Sequence, residues 1–248
     1  MRACARHFPD DLCHGFSDRN GGVSEGRYAS LNLSGKWGDD PVRVQENLRR
    51  LAEDAAFSPA ALRTATQVHG VTVVDATEVT EETEADAIVA TRDSGLVAGV
   101  RTADCVPVLL VDEAAGLCAA VHSGWRGTVG NIAGATVLAL VSRGAQLSNL
   151  RAAIGPCISA EAFEVGPEVA ERFDRRFVWP AGPARPRPHV DLRACVRDQL
   201  VTAGLSAAHI EDIGGCTCLE SDTYFSYRRD GAGIGQQLSF AGFARAQT

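Results

Sequence analysis

No stretch of this chain approaches the roughly 20 consecutive apolar residues that span a bilayer, so no transmembrane helix is expected. The segment Met1 to Asp11 lacks the apolar core of a signal peptide. Positive charge is also scarce: 24 Lys and Arg against 31 Asp and Glu leave a formal net charge of −7. That balance argues against wholesale binding to nucleic acid or to an anionic membrane, while leaving room for a local basic pocket for phosphate. The eight cysteines do not show the two-residue spacing of a zinc knuckle or a thioredoxin motif, since a single residue separates Cys216 from Cys218. With no export signal and 248 residues to build a core, they read as reduced thiols of a cytoplasmic protein. Repeats and low-complexity linkers are absent. No heptad or long amphipathic face demands a partner, so a monomer is expected.

What is present is an ordinary globular pattern, 45% hydrophobic and 22% charged. Asp40 followed by Pro41 marks a helix start, a capping side chain and then Pro at the first helical position. Val44, Leu48, Leu51 and Ala55 continue at helical spacing. Five short apolar runs, Val71–Val74, Ala87–Ala90, Leu96–Val100, Val106–Val111 and Leu117–Val121, read as strands of a buried sheet. Thr128 to Val141 reads as a core-facing helix stopped by Gly144, and Val190 to Ala203 as a second one ended by Gly204. Leu238–Phe240 is expected to be a last strand. Trp179 to Pro188 holds four prolines and reads as an extended loop inserted within one α/β domain spanning 1–248.

Three separated fragments carry chemistry: Gln67-Val68-His69-Gly70, Thr102-Ala103-Asp104-Cys105, and His122-Ser123-Gly124-Trp125-Arg126-Gly127. Each places a ligand-type or nucleophilic residue where an apolar run meets a turn, a position that is rigid yet able to face a cleft. His69 and Cys105 are 36 residues apart and Cys105 and His122 are 17 apart, far outside zinc-finger spacing, so tertiary structure must gather them. Two chemistries suit the set. Zinc on His69, Cys105 and His122 would keep a fourth position open, as catalytic zinc does, and would lower the pKa of bound water to about 7. Alternatively Cys105 is a nucleophile with His122 as its base. A Cys–His pair needs one histidine, whereas an open zinc site needs a third ligand, so His69 discriminates.

The same fragments, with others along the chain, resemble the bacterial polyphenol oxidase or laccase-domain family, described as purine nucleoside phosphorylases with adenosine deaminase activity. The further matches are Gly15-Phe16-Ser17-Asp18-Arg19-Asn20-Gly21-Gly22-Val23-Ser24, Ser30-Leu31-Asn32-Leu33, Ile154-Gly155-Pro156-Cys157-Ile158, Phe163-Glu164-Val165-Gly166, Cys216-Thr217 and Phe225-Ser226-Tyr227-Arg228-Arg229. So many ordered fragments exclude a chance match. The resemblance implies a layered sandwich with a central mixed sheet covered by helices. It also implies phosphorolysis of adenosine, inosine and methylthioadenosine to base and a ribose 1-phosphate, together with deamination of adenosine to inosine. It places the loop around Arg19, Gly21 and Gly22 near the substrate. The fold of this family is similar to that of a deamidating bacterial toxin with a Cys–His pair, and some relatives are linked to correcting cell-wall precursors. A Cys–His amidase acting on such peptides therefore stays open, as does a non-enzymatic metal-binding protein.

The remaining residues each carry two readings. Asp104 either orients a ligand histidine or is a turn residue before Pro107. Arg126, directly before an expected helix, either holds an anion or forms a structural salt bridge. Trp125 stacks on a purine or fills the core. Cys157 reads first as a buried structural thiol. One departure from the family is visible: a Thr-Gly-Arg element commonly precedes the last strand, and here Ile234-Gly235-Gln236-Gln237 puts Gln236 where Arg is usual. A fixed charge and a bidentate donor are missing there.

A laccase needs about ten histidines arranged largely as His-x-His pairs around several coppers, beyond the single His₂Cys copper site. This chain has six histidines, at 7, 14, 69, 122, 189 and 209, and no His-x-His. Copper can occupy the His-Cys-His site, because divalent copper binds such ligands more strongly than zinc does, but the multicopper set cannot form. The usual zinc deaminase signature, His-x-Glu with Pro-Cys-x-x-Cys, is also missing, so a deaminase here would use an independent scaffold.

Overall fold

The computed structural model describes residues 1–183 and 185–243. Among them the strands are β1 (Arg2–Ala3), β2 (Cys13–Ser17), β3 (Leu62–Arg63), β4 (Val73–Asp75), β5 (Ala87–Thr91), β6 (Val97–Thr102), β7 (Val106–Asp112), β8 (Leu117–Ser123), β9 (Arg151–Ile154), β10 (Val178–Trp179), β11 (His189–Val190), β12 (Ile210–Asp212) and β13 (Gln237–Gly242). The helices are α1 (Pro41–Asp54), α2 (Trp125–Val129), α3 (Ile132–Ser142), α4 (Pro167–Ala170), α5 (Leu192–Thr202) and α6 (Tyr227–Asp230).

The expected layered α/β sandwich is present, and its centre consists of two mixed sheets. One runs β1-β2-β13-β6-β3, the other β12-β9-β7-β8-β5-β4. Side-chain alternation explains the stacking. On β5, Ala87 and Val89 face a core shared with α3 and α5, while Ile88 and Ala90 face the other sheet. On β6, Ala98 and Val100 meet that inter-sheet core, and Val97 points to a third core under α1. Strands buried on both faces read as continuous apolar runs, which is why β5 to β8 were visible in sequence; the run Val71–Val74 instead yields β4, a half-buried edge strand that starts only at Val73. Fully buried Ile132, Val137 and Leu140 fasten α3 to its sheet, each worth roughly 1.5–3 kcal/mol of transfer free energy.

Two helices differ from expectation. The run Thr128–Val141 is broken: α2 ends at Val129, and Asn131 takes a left-handed conformation (φ 64°) while its side chain caps α3 by accepting from the Gly134 N–H. The last long helix starts at Leu192, because Asp191 caps it through the Ala194 N–H and His189–Val190 pair as a strand instead. At the other end of the chain, α1 begins as expected, with the Asp40 carboxylate accepting from Val42 N–H. Its buried Asn47 has a further role. The Asn47 side chain accepts from Val23 N–H and donates to Ser24 Oγ, Ser30 O and Asn32 O. Asn32, fully buried, donates in turn to Ser34 O and Asp39. This satisfied buried network fixes the loop whose far end, Ser34 to Trp37, walls the main cavity.

Candidate metal centre and active site

Strand register gathers the site. In the β7–β8 hairpin Pro107 lies opposite His122 and Val106 opposite Ser123, so Cys105, one residue earlier, falls beside Gly124. On the other flank of β8, Ala87 lies opposite Val121, which sets Asp86 beside His122, and the His122 N–H donates to Asp86 O at 2.7 Å. Asp86, Cys105 and His122 therefore stand at the same end of three neighbouring strands. His69 arrives from a loop, not a strand end, with a left-handed backbone (φ 61°).

One carboxylate holds both histidines. Asp86, fully buried, accepts His122 Nδ1–H at 2.7 Å, His69 N–H at 3.0 Å and Gly70 N–H at 2.6 Å. The proton on Nδ1 leaves His122 Nε2 free to accept or ligate. Burial acts to raise the Asp86 carboxyl, but the bonds from His122, Gly70 and His69 outweigh it and hold the group below the usual carboxylate range. The two imidazoles meet edge to face at 4.8 Å between centroids. His69 Nε2 is 3.9 Å from Cys105 Sγ. Burial would raise the Cys105 thiol, yet the His122 charge and bonds to His122 and His69 bring it down. His122 moves up, because the facing Cys105 and Asp86 outweigh its own burial. Without a metal the pair favours thiolate and imidazolium.

The donor set fits a metal. One ligand atom each from His69, Cys105 and His122 all lie within 4.8 Å of one another. Tetrahedral zinc with bonds of about 2.3 Å to sulfur and 2.0–2.1 Å to nitrogen spaces its ligands about 3.5 Å apart, a small contraction from this arrangement. Gly124 allows it: a Cβ there would come within 2.6 Å of His69 Cδ2 and 3.1 Å of Cys105 Sγ. Gly124→Ala is therefore expected to displace His69 and lower zinc affinity at least tenfold, with the fold intact, as a chelator competition titration would measure. Unchanged affinity would mean that the ligand loop does not depend on this close approach.

The three ligand-type residues open into a cavity of about 790 Å³, within the range of small-molecule sites. Its wall includes Lys36, Trp37, Gln67, Arg101, Asp104, Trp125, Arg126, Tyr227, Arg228 and Gln236. Asp104 does not orient a histidine. It accepts from Thr217 Oγ1 and from Arg228 N–H, so it ties the turn before Cys105 to the α6 segment. Arg126 is exposed, its guanidinium lying over the Trp125 ring at 4.2 Å. The helix behind it has five residues, so the helix start adds little to its pull on an anion. Arg19 is occupied elsewhere, donating to Ala29 O and Ser221 O and covering Phe225, and is not among the lining residues. Cys157 is buried beside Arg193. Sequence reasoning missed Asp86, which follows Glu81, Glu82 and Glu84 and reads as part of a solvated acidic stretch. The available signal was its place directly before a buried strand. Gln67 and Arg101 were missed as a pair: the Gln67 amide donates to Arg101 O and accepts from Arg101 N–H, both at 2.7 Å.

Two imidazoles and a thiol able to hold a metal stand at a small-molecule pocket with a cationic wall, on a double-sheet α/β scaffold. The chain belongs to the family described as multi-copper polyphenol oxidoreductase laccase, whose model matches residues 13–244. Among similar proteins, an adenosine deaminase named RL5 from an unknown prokaryotic organism is 40% identical, covering 93% of each chain. A purine nucleoside phosphorylase of Deinococcus radiodurans is also 40% identical, over 94% of this chain and 90% of its own. The crystal structure of YlmD from Geobacillus stearothermophilus superposes with a TM-score of 0.85 at 32% identity, covering 94% of this chain and 92% of that one. Among the described residues no helix is long and apolar enough to cross a membrane.

Proposed function

We propose that this protein is a zinc-dependent purine nucleoside phosphorylase that also deaminates adenosine. The observation that carries the reading is the His69, Cys105 and His122 cluster at a cavity sized for a nucleoside. The relatives' names support the substrate class. The two reactions differ in their second reactant. Phosphorolysis breaks the C1′–N9 bond, joins C1′ to a phosphate oxygen and returns a proton to the purine. Deamination adds water at C6 and releases ammonia.

His69 Nε2, Cys105 Sγ and His122 Nε2 would hold the metal, with Asp86 keeping the His122 proton on Nδ1. Bound zinc supplies Lewis acidity and an acidified water; copper at the same donors is the alternative occupant. Trp37 and Tyr227, stacked with centroids 5.9 Å apart, offer aromatic faces to the purine. Asp104 sets the loop that carries Cys105, and Arg126 with Trp125 forms a rim against the sugar or base. Protein purified without added metal is expected to carry about one zinc per chain. It should convert inosine to hypoxanthine only when phosphate is present, and adenosine to inosine without it. Elemental analysis and a nucleoside panel with and without phosphate test this; a silent panel with zinc restored would end the reading.

A second reading has its own observation. Cys105, His122 and Asp86 form a thiol, a base and a carboxylate that orients the base, the arrangement of a cysteine hydrolase. It leaves His69 without a role.

A further inference from the structure

Four cations line the cavity, Lys36, Arg101, Arg126 and Arg228, and among the described residues none of them makes an ion pair. Among the described residues the one carboxylate of the wall is Asp104, which is engaged by Thr217 Oγ1 and Arg228 N–H. A protein of net charge −7 thus concentrates unpaired positive charge around one space. Lys36, Arg126 and Arg228 are exposed, so the cost of an unpaired, partly desolvated charge falls on Arg101.

Arg101 is the innermost and most constrained of the four. It projects from β6, whose register pairs it with Leu238 of β13. Nε donates to Leu33 O at 2.6 Å and Nη1 to Thr64 Oγ1 at 3.0 Å. Both acceptors are neutral. Burial lowers its pKa with no carboxylate to offset the shift, and a guanidinium remains charged regardless. Nη2 makes no hydrogen bond among the described residues, so part of the planar donor fork is left for a ligand. The Gln67 amide clamps the Arg101 backbone two residues before His69, which fixes this charge relative to the metal ligands. The other three are held differently. Arg126 and Arg228 lie over the rings of Trp125 and Phe163, and Lys36 lies beside Trp37.

We infer that Arg101 is the phosphate anchor of the cavity, presenting a preformed, partly desolvated guanidinium to the inorganic phosphate that attacks C1′. The inference rests on the phosphorylase reading for its substrate, but the anion site is independent of turnover. A bidentate arginine–phosphate pair suits a planar fork better than any point charge on this wall, and the Leu33 and Thr64 contacts supply the preorganisation. Gln236, whose carbonyl accepts from the same Leu33, contributes only a neutral amide to this part of the wall.

The test compares the zinc-loaded wild type with Arg101→Gln and Arg101→Lys, using inorganic phosphate as the probe. In the inosine assay, Arg101→Gln is expected to raise the phosphate concentration for half-maximal rate at least thirtyfold, on the order of a lost charge-assisted bond. Arg101→Lys is expected to recover part of that loss. Adenosine deamination, which consumes no phosphate, should change far less. In parallel, the thermal midpoint is followed against phosphate with no nucleoside present. A phosphate-dependent rise in wild type that is lost in Arg101→Gln supports the anchor even if no phosphorolysis is found, and in that case only the phosphorylase reading fails. The inference is overturned if Arg101→Gln keeps the wild-type phosphate dependence in both measurements, or if both activities fall equally, which would make Arg101 a strut between Leu33 and Thr64.

Discussion

Asp86→Asn is expected to strip the protein of its metal while leaving the fold in place. The aspartate accepts three hydrogen bonds, from His122 Nδ1–H and from the His69 and Gly70 amides. Asparagine keeps the shape but has one acceptor oxygen and a donor NH₂. If the oxygen serves the two amides, the NH₂ meets His122 Nδ1 and moves the imidazole proton to Nε2, the atom that must ligate. Loss of an outer hydrogen-bond partner typically costs 10–100-fold in metal affinity. The wrong tautomer at a ligating nitrogen places this case at the upper end, about 100-fold or about 2.7 kcal/mol. Asp86→Ala differs in kind, because the buried His122 donor loses its acceptor at about 1–3 kcal/mol and the part-buried His69 and Gly70 amides lose theirs, and the fold itself should weaken. Zinc affinity by chelator competition, with thermal midpoints alongside, separates the two variants. If Asp86→Asn binds zinc within threefold of wild type, the carboxylate does not control the ligand tautomer.

The prominence of Asp86 shows what a sequence can and cannot display. His69, Cys105 and His122 were legible because ligand-type residues interrupt apolar runs, and the structure brings them within 4.8 Å. Their organiser was not, because a carboxylate among Glu81, Glu82 and Glu84 has the local signature of solvent-facing charge. Only the β5–β8 register, which sets Ala87 against Val121, turns it inward. Strands β5 to β8 were visible for a related reason, since burial on both faces leaves polar residues only at their ends, among them Arg101, Asp112 and His122. That same continuity hides how the strands are shared between two sheets: Val97 and Val100 belong to different cores, yet look alike in sequence. Short strands such as β2, with Cys13, His14 and Ser17, lack an apolar run and were missed. The break between α2 and α3 was written in Gly130-Asn131, but the apolar periodicity on either side masked it.

Both enzymatic readings need Cys105, His122 and Asp86, so removing any of these cannot separate them. His69 can. It sits 3.9 Å from Cys105 Sγ and edge-on to His122, a place that serves metal binding and is superfluous for a nucleophile with its base. If the protein works through a metal, His69→Ala should lose the metal and at least about a thousandfold of kcat/KM, or about 4 kcal/mol of barrier. If Cys105 is the nucleophile, more than about a tenth of the turnover should remain, a loss below roughly 1.4 kcal/mol. The backbone adds a complication, because His69 is left-handed (φ 61°) and alanine there is strained. His69→Asn supplies the control, since asparagine tolerates that conformation and keeps the Asp86 contacts of the loop. Loss of zinc and of both purine activities in the two variants, with thermal midpoints near wild type, assigns His69 to the metal. Zinc lost with turnover kept would instead make Cys105 and His122 the reacting pair and reduce the metal to an occupant of their site.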